Sequence, residues 1–154
     1  MRRLNPRYLQ AVYDQLNTCP YFSLLSMEIK TLVWGECRIE VAVQEKHLQP
    51  FGMVHGGVFS SLIDAAAYWA VYSKIEEGIG MTTVEMKLNY LAPASEGVMI
   101  AKGRKIRVGK TLCLGEAMIE NETGMLLAHG TATLMILKDL KLQGEDRLPA
   151  KFLE

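Results

Sequence analysis

The sequence predicts an α+β domain: an antiparallel β-sheet wrapped around one long central α-helix, with an additional helix near the N-terminus. Three observations predict it. Residues 58–75 contain no proline or glycine and are apolar on most of a helical circumference, and such a helix belongs inside something. The segments that follow alternate apolar and polar residues and are joined by short turns, as in an antiparallel sheet. That sheet has one apolar face to cover, and only the central helix is apolar enough to cover it. At 154 residues the chain is long enough for one core and short for two, so residues 1–154 read as a single domain with its core at about 27–137.

The first helix is expected over 6–18. Tyr8, Leu9, Val12, Tyr13 and Leu16 fall close to an amphipathic spacing, Asn5-Pro6 is a suitable start, and Cys19-Pro20 ends it. Two short runs follow, Met27 to Trp34 and Glu36 to Val43, hinged at Gly35. In the second, Cys37, Ile39, Val41 and Val43 alternate with more polar neighbours, and the pair reads as a hairpin. Residues 44–54 form a loop. In the central helix, Ala65, Ala66 and Ala67 make a thin waist where another backbone can approach closely, and Gly78 and Gly80 close the segment. Four strands are then expected. Val84 to Tyr90 comes first, followed by a turn at Pro93 to Gly97. Val98 to Val108 leads to a turn at Gly109-Lys110, Thr111 to Glu120 leads to a turn at Asn121 to Gly124, and Met125 to Leu137 is last. This order predicts a simple meander. One sheet on one helix leaves open edges, and edge pairing between two copies is the natural remedy.

The 17 Lys+Arg balance 17 Asp+Glu. Neutrality argues against a protein that binds nucleic acid by bulk electrostatics and favours self-association. The three cysteines are odd in number, widely spaced and without a CxxC, which points to free thiols rather than a disulfide framework or zinc site. The basic start Met1-Arg2-Arg3 is not followed by an apolar signal core, and no apolar run reaches bilayer-spanning length. A cytoplasmic protein with no membrane partner is expected.

The strongest chemical signal is His55-Gly56-Gly57 opening the central helix. Backbone N–H groups at a helix start have no intrahelical partner. Without side chains at Gly56 and Gly57 a ligand oxygen can reach them, and the helix dipole favours developing negative charge there. That is the chemistry of an oxyanion hole; a plain Gly-Gly turn into a helix is the other reading. Asp64 is the second signal, a carboxylate inside an otherwise apolar helix that needs a partner or a purpose. A solvated face, a buried hydrogen bond or a helix-pairing contact are the structural alternatives to catalysis. Eight residues separate Gly56 from Asp64, about 12 Å along a helix axis. Both can act on one carbonyl only if Gly56 of one subunit meets Asp64 of another. The third signal is Lys102, Arg104, Lys105, Arg107 and Lys110, with no acidic residue between Glu96 and Glu116. This is either a solvated strand and turn or a seat for phosphates. His129 reads as a satisfied core or edge histidine, and His47 as a loop residue with nothing around it to suggest metal binding. With three histidines and no two at ligand spacing, no metal site is expected. Ser60 and Ser61 read as helix-packing serines.

Together these elements resemble the hotdog-fold acyl-CoA thioesterases, in particular the PaaI-like branch. The resemblance runs from about Met27 to Leu137. It rests on Pro50-Phe51-Gly52-Met53-Val54-His55-Gly56-Gly57, on Asp64 nine residues after the histidine, and on Thr83-Val84-Glu85-Met86-Lys87-Leu88-Asn89-Tyr90-Leu91-Ala92-Pro93-Ala94. Gly109-Lys110-Thr111-Leu112 and Ala128-His129-Gly130-Thr131-Ala132 also fit. The resemblance implies thioester hydrolysis to a free acid and CoA. The Gly56 N–H would hold the thioester oxygen, Asp64 would be general base or nucleophile, and His55 would hold the loop or the thioester. Thr83 stands where a polar residue on the following strand often assists. The family often carries Asn where this chain has Gln49, which keeps the amide but adds a methylene. The resemblance further implies a site shared between subunits of a homodimer or a dimer of dimers. An acyl pocket would be lined by Phe51, Phe59 and Tyr68, with Arg104, Lys105, Arg107 and Lys110 at the CoA phosphates. No cofactor is expected, CoA being part of the substrate. A hotdog 3-hydroxyacyl thioester dehydratase or hydratase is a second reading, and a non-catalytic acyl-CoA-binding module a third.

Overall fold

The computed structural model describes residues 2–154. Helix α1 (Pro6–Thr18) starts where the Asn5 side chain accepts the Arg7 N–H and Pro6 occupies the first turn, a position where a missing donor costs nothing. Its buried residues Tyr8, Val12 and Leu16 form one stripe that packs on β2 (Met27–Val33). Pro20 ends α1 as expected but also opens a second short helix, α2 (Pro20–Leu25), which composition did not reveal. The expected hairpin of β2 with β3 (Glu36–Ala42) is present. It turns at Gly35, whose φ of 88° is open to glycine and strained for other residues.

Strands β4 (Gly80–Tyr90), β5 (Val98–Val108), β6 (Leu112–Glu120) and β7 (Leu126–Leu137) complete a six-stranded antiparallel sheet in the order β2-β3-β5-β6-β7-β4. The expected meander is therefore corrected: β5, β6 and β7 form one, but β4 lies at the far edge beside β7 and does not neighbour β5. Residues 91–97 are a crossover along the end of the sheet rather than a hairpin turn. Leu91 and Ala92 donate to Leu127 O, Ala94 O accepts from Val54, and Gly97 O accepts from Val43. These bonds stitch β4 to the opposite half of the sheet and satisfy the backbone groups of the crossing segment. In β4 the apolar alternation is broken by a register shift between Thr83 and Glu85, which leaves Val84 exposed, as is Tyr90.

The central helix, α3 (Gly56–Tyr72), starts two residues earlier and ends three earlier than the proline-free run suggests. Ser73 terminates it, donating to Ala70 O and accepting the Gly35 N–H. The helix packs against β3, β5, β6, β7 and β4, with Leu62, Ile63, Ala66, Ala67, Ala70 and Val71 fully buried. The alanine waist meets glycines on the sheet. A Cβ at Gly103 of β5 would fall onto the Ala66 carbonyl, and one at Gly115 of β6 would stand 2.9 Å from the Ala67 oxygen.

The edges differ. On β2, the N–H groups of Ile29 and Leu32 donate to Asn17 Oδ1 and Tyr13 Oη of α1, at 2.8 and 2.7 Å. The sheet is thus blunted at that end. At β4 only β7 pairs with the strand.

Residues 138–151 turn back beneath the helix. β8 (Phe152–Leu153) pairs with β1 (Arg3–Leu4), and buried Lys151 donates to Tyr72 O and Ile75 O at 2.7 and 2.8 Å. A cation here satisfies carbonyls left over at the end of α3. Burial lowers the Lys151 pKa to about 7. The unfolded chain then binds more protons than the native one above that pH.

Two predictions follow from the packing. Gly103→Ala should lose about 1–3 kcal/mol of stability in urea unfolding, because the helix backbone has no flexible side chain to yield. The stability of the wild type relative to Lys151→Met should rise from about pH 7 to about pH 9, as the folded-state lysine loses its proton first. A flat difference over that window would show that Lys151 is not desolvated.

Candidate active site

The loop before α3 is built on His47. Although sequence placed it in an open loop, its ring is buried. Nδ1 accepts the Gln44 N–H at 2.9 Å and Nε2 lies 2.7 Å from Leu25 O, while its own carbonyl accepts the His55 N–H at 2.8 Å. Its neighbours therefore lie far off in sequence, on α2 and at the start of α3. A tight turn over residues 49–53 follows, in which Gln49 Oε1 accepts the Phe51 N–H. Phe51 projects from the turn, 87% exposed.

His55 is the N-cap of α3. Its Nδ1 accepts the Gly57 N–H at 2.8 Å and its carbonyl accepts the Val58 N–H at 3.0 Å. The Gly56 N–H has no acceptor among the described residues. The two glycines thus have different places: Gly57 is held by the cap, and Gly56 presents its donor. Gly56 opens onto a cleft of 320 Å³ with Gln49, Phe59, Tyr90 and Pro93. Tyr90 Oη donates to Gly56 O at 3.2 Å, and its ring meets Phe59 edge-on at 5.9 Å. A Cβ at Gly56 would approach the Tyr90 ring to 3.2 Å. Sequence reasoning missed Tyr90 as a site residue; its one signal was its place at the end of a strand leading into the crossover.

Asp64 lies two turns further along α3, half-buried, with Oδ1 accepting the Thr83 hydroxyl at 2.7 Å. The bond fixes one carboxylate oxygen. Asp64 lines a different cleft, of 330 Å³, with Tyr21, Ser61, Tyr68, Trp69 and Met86. Ser60 and Ser61, expected as helix-packing serines, instead line this cleft and donate to Gly57 O of their own helix, while Tyr21 and Ser61 share a 2.6 Å hydrogen bond. Within one chain the structure therefore brings Gly56 together with Gln49 and Phe59, and Asp64 together with Thr83 and Tyr68. It does not bring the two groups together. Phe51 lines neither cleft.

The basic segment is divided. Lys102 pairs with Glu120 at 2.7 Å, and Arg104 pairs with Glu116, which also meets His129 Nε2 at 3.0 Å. Burial pushes the Glu116 carboxyl up, but His129 and Arg104 outweigh it and hold the group below its ordinary range. Lys105 is half-buried and lies against Gly35. Arg107 and Lys110 stand at the β5–β6 turn beside an open cleft of 930 Å³ with Thr111 and Thr133. Neither pairs with a carboxylate among the described residues. Nor do three His, Cys, Asp or Glu side chains converge there as a metal set would.

Comparison with known proteins decides the family. The profile of the thioesterase superfamily matches residues 51–128, more than half of the chain. The chain belongs to the thioesterase superfamily. The match spans the end of the loop, all of α3 and the strands through the start of β7, and so includes Gly56, Asp64 and Thr83. It is 32% identical over 117 residues to 1,4-dihydroxy-2-naphthoyl-CoA hydrolase of Listeria monocytogenes, covering 76% of this chain and 95% of that protein. It is 31% identical over 101 residues to human acyl-coenzyme A thioesterase 13, covering 64% and 71%. Among solved structures, a thioesterase from Haemophilus influenzae superposes with a TM-score of 0.81 at 25% identity, covering 92% of this chain and 98% of that one. A thioesterase family protein from Silicibacter pomeroyi gives 0.76 at 31% identity, covering 84% and 98%. The sheet wrapped on α3 is the hotdog fold of these enzymes, as the sequence resemblance implied. No helix of the described residues is long and apolar enough to cross a membrane.

The cap makes a prediction of its own. His55→Ala removes the acceptor of the Gly57 N–H and should cost about 1 kcal/mol of stability. His55→Asn should restore most of it in thermal unfolding, because Asn is among the best N-caps.

Proposed function

We propose that this thioesterase-superfamily protein hydrolyses an acyl-CoA to a free acid and CoA, at a site completed by two copies of the chain. One observation carries the proposal. The free Gly56 N–H and the Asp64 carboxylate sit in separate clefts of one helix, about 12 Å apart along its axis. A single carbonyl reaches both only when Gly56 of one copy faces Asp64 of the other. The unshared edge of β4, which carries Thr83, offers a place for two sheets to join. Such a homodimer could pair again as a dimer of dimers. The names of the Listeria and human relatives, both acting on CoA thioesters, support the substrate class.

In this reading the acyl carbonyl oxygen accepts the Gly56 N–H, at the positive end of the α3 dipole. Gln49 and Tyr90 flank it. Asp64 of the second copy, oriented by Thr83, takes a proton from water as the water oxygen attacks the acyl carbon. In the alternative course, the carboxylate attacks directly and water then hydrolyses the mixed anhydride. Either way the C–S bond breaks, the electron pair leaves with sulfur, and the thiolate takes up a proton. His55 Nδ1 accepts the Gly57 N–H, which supports a role for the imidazole in holding the loop. Of the basic segment 102–110, Arg107 and Lys110 are exposed without a carboxylate partner among the described residues and are the ones assigned to the CoA phosphates.

Asp64→Asn and Asp64→Ala should lower kcat by about a hundredfold or more on short, medium, long and aryl acyl-CoAs, with folding intact. Near-wild-type release of CoA by either folded variant would sink the mechanism. The shared site has a separate test. Gly56→Val and Asp64→Asn chains should each be inactive alone, yet mixed dimers should regain about half of the wild-type activity, since one of two sites is then intact. No recovery on mixing would place each site within one chain.

A further inference from the structure

The Asp64 cleft has a neighbour. Tyr68 and Trp69, which line it, also line a second cavity of 370 Å³. Other walls of that cavity come from Val12 and Leu16 of α1, from Cys19 just after it and from Leu142 of the segment after β7. Those segments lie outside residues 51–128, the part matched by the superfamily profile. The walls are mainly carbon. Lys141 and Gln143 also line the cavity but are exposed, and Gln143 O is bonded to the Gln15 amide at 3.1 Å.

The residues between the two spaces are fixed in place. Tyr68 Oη donates to Met81 O at 3.0 Å and accepts the Met81 N–H at 3.2 Å. With its hydroxyl tied to β4, its ring carbons are left to face a ligand. Trp69 packs edge-on to Tyr68 at 5.4 Å and to Tyr72 at 4.8 Å. A cavity of this size and lining suits an apolar group and offers a charged one no set of convergent partners.

We infer that the acyl tail of the substrate runs from the Asp64 cleft along Tyr68 and Trp69 into this second cavity, so that α1 and the segment after β7 select a medium-length apolar acyl group. The inference rests on the acyl-CoA reading above. Each methylene seated there should raise kcat/KM by up to about fourfold, from the burial of a CH₂ group.

The test is a straight-chain acyl-CoA series, from acetyl to dodecanoyl, hydrolysed by the wild type and by Cys19→Phe and Leu142→Trp. These fill the cavity from opposite walls and touch none of the residues assigned to catalysis. The wild-type kcat/KM should climb with chain length and then level. Each variant should level at a shorter chain, while acetyl-CoA hydrolysis stays within about twofold. A folded variant that keeps the wild-type profile overturns the inference. So does a wild-type profile that is flat from acetyl upward, and that measurement stands even if a variant does not fold. A wild type that hydrolyses no acyl-CoA, straight or aryl, overturns instead the reading on which the inference rests.

Discussion

The close approach of α3 to the sheet is the constraint on which the rest depends. At the Ala66–Ala67 waist the helix backbone presses on Gly103 and Gly115, where no side chain fits. A helix held this tightly cannot slide or rotate without unpacking Leu62, Ile63, Ala70 and Val71, all of them fully buried. Its position therefore fixes two other things. Its N-terminus emerges where the His47 loop and the crossover from Leu91 gather, and Asp64 comes to face Thr83 of β4.

A buried helix must dispose of its polar groups, and α3 does so almost completely. At the start, the His55 ring takes the Gly57 N–H and the His55 carbonyl takes that of Val58. At the far end, Lys151 and Ser73 take up carbonyls of the last turn and the residues just beyond it. Among the groups left with capacity are the Gly56 N–H and the Asp64 carboxylate, which accepts from Thr83 through one oxygen. One is an unpaired donor at the helix start and the other a carboxylate with one oxygen unengaged, so the proposed chemistry uses what remains after the structural demands on the helix are met.

How much of this was legible in the sequence depended on the range of the interactions. Local periodicity revealed α1, β2, β3 and the body of α3, because a stripe such as Tyr8, Val12, Leu16 records which face is buried. The alanine waist was legible for the same reason. Strand order was not, because Pro93 to Gly97 has the residues of a hairpin turn, and its role as a crossover is decided by bonds to Leu127, Val54 and Val43. His47 read only as a loop residue, and nothing in the sequence singled out Lys151. Their burial depends on carbonyls of Leu25 and Tyr72, which no local pattern predicts. For the site, Gly56 and Asp64 stood out by chemistry and spacing, and Thr83 by family resemblance. The separation of Gly56 from Asp64 was legible in their spacing on one helix, but Tyr90 and the lining of the two clefts required the fold.

The basic segment shows why a charge run must be read through strand geometry. Along β5 successive side chains point to opposite faces. Lys102 and Arg104 share one face; Arg104 lies across from Glu116 of β6 and pairs with it, and Lys102, across from Met118, reaches diagonally to Glu120. A register shift between Lys105 and Arg107 then breaks the alternation, and Lys105 turns against Gly35. Five cations in sequence thus become two paired residues, one packed along the sheet and two at the turn. A dianionic phosphate must compete with Glu116 for Arg104, and that carboxylate is already favoured in its charged form by both Arg104 and His129. Arg107 and Lys110 face no such competition. The unpaired cations of this segment thus stand together near the turn, beside the open cleft.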